Sequence, residues 1–135
     1  MGPKSHRELV VWQKAMDLTV TVYELIKAMP KTEQYGLISQ MQRAAASIPA
    51  NIADRNARMS RKDYARFVEI SLGSAAELET RLALAARVKV IDRAAFDLAF
   101  PMTEEVGRML NSLRAKLSQS ETGFDDEAQF LIPNL

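Results

Sequence analysis

The stretch from Tyr35 to Asp54, YGLISQMQRAAASIPANIAD, limits what this chain can fold into more than any other. Its apolar side chains Ile38, Met41, Ala45, Ile48 and Ile52 recur at alternating steps of three and four. That is the period that keeps one stripe of a helix against neighbours. Pro49 stands inside the stripe. A proline there removes a backbone donor and crowds the preceding turn, at a cost of roughly 3 kcal/mol. Packing must offset that penalty, so the segment predicts a helix held firmly by its surroundings. Pro49 also leaves the carbonyl of Ala45 without its helical donor. Ser47 or Asn51 is expected to orient there, directly or through water. A second reading has Asn51 bridging subunits.

The chain has 135 residues, enough for one domain with a real core. With 47% apolar and 26% charged residues it reads as globular rather than disordered. It has no cysteine, so disulfides and thiolate chemistry are excluded. No apolar run approaches the ~20 residues of a membrane span. The opening MGPKSHRELVVW has no secretory hydrophobic region, and His6 stands where a myristoylation signal needs Ser or Thr. A cytoplasmic location is expected. Net charge is +1, but the excess of Lys and Arg lies in residues 1–66 and the excess of Asp and Glu in 67–135. Such asymmetry hints at a basic surface or head-to-tail contact between subunits.

Four helical segments fit the rest. The first opens at Ser5 with Glu8 as a capping box and runs to about Met29, before Pro30. The second starts between Thr32 and Leu37 and continues to about Arg58. The third is capped by Ser60, with Asp63 in its first turn, and extends to about Val88. The fourth is capped by Asp92 and reaches about Leu117, with a seam of Phe96, Ala99, Thr103, Val106, Leu110, Leu113 and Leu117. Pro101 predicts a kink or break in it. Tyr64, Phe67 and Trp12 read as packing residues. The expected architecture is all-α: an up-down-up-down four-helix bundle over residues 1–117. Residues 118–135 form an acidic and apolar tail that frays, or docks Phe130, Leu131 and Ile132 in a groove. Alanines on the second helix and Ser71, Gly73, Ser74, Ala75 and Ala76 on the third suggest close approach of axes. Gly73 in particular suggests a close backbone contact, because glycine costs a helix about 1 kcal/mol relative to alanine.

On a wheel, the first helix gathers Gln13, Lys14, Asp17, Thr21, Glu24 and Lys27 on one narrow face. Its apolar residues spread over roughly 220°, well beyond the stripe a bundle helix needs. The excess predicts an oligomer contact. Trp12, Met16, Leu18, Val22 and Leu25 are its candidates, with Asn51 from the second helix.

As a set, these residues resemble a bacterial family of small four-helix bundles named for open reading frames in intervening sequences of 23S rRNA genes. The core of the resemblance is Tyr35-Gly36-Leu37, Gln40, Arg43-Ala44-Ala45 and Ser47-Ile48-Pro49-Ala50-Asn51-Ile52-Ala53. Support comes from Val11-Trp12-Gln13-Lys14-Ala15, Leu18, Tyr23, Pro30, Phe67, Ser71, Gly73-Ser74, Glu77-Leu78-Glu79 and Leu82. It spans about Leu9 to Leu117. One departure is Asp54-Arg55, where the family usually has Glu-Gly; helix two would then run on further or turn differently. The resemblance implies a closed homo-oligomeric ring, typically a pentamer. Related accessory factors of diversity-generating retroelements bind nucleic acid.

Catalytic sets are not indicated. The only histidine is His6, outside any Glu-x-x-His motif, and Glu77 and Glu79 point in different directions on a helix. No metal, cofactor or enzymatic activity is therefore expected. The suggestive cluster is basic: Arg43, Arg55, Arg58, Arg61, Lys62 and Arg66 are expected around the corner between helices two and three. Repeated around a ring, such corners would act together on a phosphate backbone. No aromatic ladder accompanies them, so binding would be non-specific and salt-dependent. Two functions remain: a non-catalytic oligomeric scaffold, or a weak RNA- or DNA-binding ring.

Overall fold

The computed structural model describes residues 9–54 and 60–119. The order is α1 (Val10–Ile26), a 3-10 turn (Lys31–Glu33), a wide π turn (Gln34–Ile38), α2 (Ser39–Ala53), α3 (Arg61–Arg87) and α4 (Arg93–Gln119). Each helix packs on its sequence neighbours, and α1 closes onto α4. The result is the up-down-up-down bundle that the periodicities predict.

The caps explain most boundaries. Ser60 Oγ accepts the backbone N–H of Asp63 at 3.1 Å, and Asp92 Oδ1 accepts that of Ala95 at 2.8 Å, so α3 and α4 start where their sequences say. At the end of α3, Lys89 takes a positive φ of 64°. The N–H of Val90 donates to Ala85 and that of Lys89 to Ala86, which satisfies two carbonyls of the last turn.

Three boundaries differ from the sequence reading. Leu9 is extended and buried, so α1 begins at Val10; the Ser5–Glu8 capping box lies outside the described residues. α2 ends at Ala53, not near Arg58, because Asp54 leaves helical geometry with ψ 25°. Asp54 therefore ends the helix instead of carrying it further. α4 runs unbroken through Pro101. Pro101 is exposed, so the carbonyl it strands can be met by water instead of demanding a break.

The core is continuous. The α2 seam buries Met41, Ala45, Ile48 and Ile52, and the α4 seam buries Ala99, Thr103, Val106, Leu110, Leu113 and Leu117. Tyr64 is buried and Phe67 half-buried. Phe96 and Phe100 stack with ring centroids 4.8 Å apart. Gly73 corrects another expectation. It is exposed, and a Cβ there would meet nothing within 4 Å, so no neighbouring backbone requires it. The tail, from residue 120 onward, lies outside the described residues.

Candidate functional site

The penalty at Pro49 is met by polar lacing between helices. Pro49 is buried, and so is Ala45, whose carbonyl it strands. The hydroxyl of Thr19 on α1 lies 3.0 Å from that oxygen and 2.8 Å from the carbonyl of Ala15. Thr19, not Ser47 or Asn51, supplies the missing donor. The reason is angular: Ala45 sits on the flank of α2 that faces α1, whereas Ser47 and Asn51 sit on the flank that faces α3. Asn51 Nδ2 donates back along its own helix, to Ser47 O at 2.8 Å and Ser47 Oγ at 3.0 Å. Two hydroxyls of α3 complete the lacing. Buried Ser71 donates to the carbonyl of Ile48 at 2.9 Å, and Ser74 to Ser47 Oγ at 2.8 Å. Pro49 is thus pinned between α1 and α3.

The wide apolar arc of α1 divides in two. Ala15, Leu18, Val22 and Ile26 are buried within the single chain. Leu18 and Val22, read as contact candidates, are therefore core residues unavailable to a second copy. The other half stays outside. Val20 is 58% exposed, Tyr23 42% and Met16 38%, with Trp12 and Leu25 half-buried. Trp12, Met16, Val20 and Tyr23 recur at steps of four, four and three, which places them on one ridge. Val20 and Tyr23 were not among the sequence candidates. The signal that would have found them is the direction of the α1 core face, which periodicity alone leaves open when the arc is so wide.

The basic corner does not hold together. Arg61 is only 4% exposed; its Nε donates to Leu117 O at 3.0 Å and its Nη2 to Lys116 O at 3.1 Å. It holds the carbonyl end of α4, where a cation suits the helix dipole. Arg43 lies beside Glu77 and Arg81, in a cleft between α2 and α3. With 1.5 Å of rise per residue, that is roughly 20 Å along α3 from Lys62 and Arg66. Antiparallel packing explains the split, since the start of α2 meets the far half of α3. Arg55 and Arg58 lie outside the described residues. Lys62 and Arg66 remain exposed, and Arg114 of α4 joins them around a cleft of about 1050 Å³. Sequence reading missed Arg114 because nothing local links it to α3. Asp63 and Glu69 line the same cleft and temper its charge.

Glu77 and Glu79 diverge as their spacing requires. Glu77 faces Arg81, with 3.6 Å from Arg81 Nη2 to Glu77 Oε2. Glu79 turns toward α4, where burial, and then the carboxylate of Glu104, push its pKa up. Among the described residues, no helix is long and apolar enough to cross a membrane.

The sequence profile of the 23S rRNA-intervening sequence protein family matches residues 7–112, most of the chain. The chain belongs to that family. A solved structure from Bacteroides thetaiotaomicron VPI-5482, a protein of unknown function from the S23 ribosomal protein family, has the same fold. It is similar at 29% identity and a TM-score of 0.71, over 78% of this chain and 98% of that one. No curated protein matches the sequence. Membership in the 23S rRNA-intervening sequence family agrees with the four-helix fold and carries no assigned activity.

Proposed function

We propose that this protein works without catalysis, as a cytoplasmic scaffold that assembles with copies of itself through the outer ridge of α1. The observation that carries the reading is the ridge itself. Met16, Val20 and Tyr23 form a run of large apolar side chains that the bundle leaves exposed on one helix, continued by the half-buried Trp12. Contiguous apolar surface of this kind usually marks an interface. Family resemblance makes a closed ring of five the expected form.

Trp12 is the only tryptophan in the chain and sits on that ridge, so it reports on the contact directly. Its emission should shift to the red when the wild type is diluted from micromolar to low nanomolar concentration. Met16→Glu with Val20→Glu should show the red-shifted spectrum at every concentration, with helical content retained. Emission that never depends on concentration and is untouched by the double variant would overturn the reading.

A second reading keeps nucleic acid as a partner, now at the cleft of Lys62, Arg66 and Arg114. Bringing Arg114 to the other two is the observation that favours it. RNA or DNA binding near 50 mM salt, weakening steeply as salt rises and lost on Lys62→Glu with Arg114→Glu, would support it. Salt-independent binding, or none at low salt, would remove it.

A further inference from the structure

The groove between α2 and α3 opens into a cleft of about 380 Å³ whose lining includes Gln40, Arg43, Ser47, Ser74, Glu77 and Arg81. That volume is at the lower end of the ~300–1,000 Å³ typical of small-molecule sites. Its chemistry is unusual for a bundle groove: a guanidinium from each of two facing helices, with one carboxylate between them in sequence. Arg81 is incompletely paired. Its Nη2 reaches Glu77 only at 3.6 Å, and its Nε is buried with no hydrogen-bond acceptor among the described residues. A buried N–H without an acceptor is costly, so a turn of the Arg81 side chain that brings its Nε–H to an acceptor in the cleft is favoured. Arg43, on the opposite wall, is exposed and makes no ion pair with a described residue. The Nε and Nη edge of a guanidinium matches two oxygens of one carboxylate or phosphate group.

We propose that this cleft binds a small molecule bearing an oxyanion, a phosphate or a carboxylate, gripped by Arg81 and Arg43. Glu77 leaves the cleft one positive charge in excess. It also offers an acceptor to a hydroxyl beside the anionic group. A small hydroxylated phosphate or carboxylate therefore fits better than a bare anion. The Ser47–Ser74 hydrogen bond at the floor ties the site to the lacing around Pro49, so both walls are held in register before any ligand arrives. The proposal does not rest on the α1 ridge, which lies along a different helix.

Calorimetric titration with glycerol 3-phosphate and with lactate, against sodium chloride at matched ionic strength, tests the idea. One arm identifies a phosphate ligand and the other a carboxylate. At least one should bind saturably where chloride does not, and should move the Nε–H resonance of Arg81. Arg81→Gln and Arg43→Gln should each weaken binding about tenfold or more, as loss of a charge-assisted pair predicts. If neither anion binds beyond chloride, or if binding survives both substitutions unchanged, the proposal fails. Should Arg81→Gln not fold, as judged by circular dichroism, Arg43→Gln decides alone, because that side chain is exposed.

Discussion

Thr19→Val tests the explanation of Pro49. Valine keeps the shape of threonine and puts a methyl group in place of the hydroxyl. In the wild type, that hydroxyl lies 3.0 Å from the carbonyl of Ala45, a residue with no solvent exposure. The carbonyl of Ala15 loses little, since it keeps its own helical donor. The carbonyl of Ala45 has no such reserve, because Pro49 has no N–H to give. Leaving it buried and unmet should cost about 1–3 kcal/mol. Repeating the substitution in a Pro49→Ala background isolates the effect, since alanine restores the N–H that reaches Ala45. There the same change should cost no more than about 0.5 kcal/mol, giving a coupling of roughly 0.5–3 kcal/mol between sites on two helices. Urea unfolding followed at 222 nm, at one fixed protein concentration, measures all four corners of the cycle. Equal losses in the two backgrounds would refute the reasoning, whatever their size.

Other consequences are equally direct. Arg61→Met should lower stability by about 2–3 kcal/mol, because the buried carbonyl of Leu117 loses a charged donor; urea midpoints will show it, and a change within error would mean that these bonds add nothing to stability. Lys89→Gly should raise stability by about 1 kcal/mol in thermal unfolding, because a side chain at positive φ is strained where glycine is not. The raised pKa of Glu79 has a signed consequence. Its neutral form is favoured on folding, so its contribution is full below the ordinary carboxylate value of 4.5 and is lost as pH rises through the higher folded value. Wild type should therefore lose stability relative to Glu79→Gln as pH rises above the ordinary value of 4.5, measured by urea unfolding at each pH; a constant difference between the two would contradict the assignment.

Much of the fold was legible in the sequence because it rests on local signals. Ser60 and Asp92 cap the helices they announce, and the seams through Met41 and Leu110 point inward as their spacing requires. Pro30 and Pro49 also keep their predicted places, one outside a helix and one inside. What the sequence obscured depends on which flank faces which neighbour. Thr19 reads as a mildly unfavourable residue on a helix, and only the packing of α1 on α2 makes it the partner of Ala45. Leu18 and Val20 are similar in hydropathy and two residues apart, yet one is core and the other surface. Arg61 and Lys62 are adjacent cations with opposite fates, because the helix turns 100° between them and α4 ends beside only one. Gly73 was misread for the same reason: its helix was right, but the face it occupies looks outward.

The assembly reading stands or falls on the mass of the particle in solution. Sedimentation velocity at micromolar concentration should find the wild type as a single species several times heavier than the 15.1 kDa chain, with Met16→Glu and Val20→Glu together reducing it to one folded chain. A wild type that sediments as a solitary 15.1 kDa molecule, at concentrations where α1 is fully helical, would contradict it.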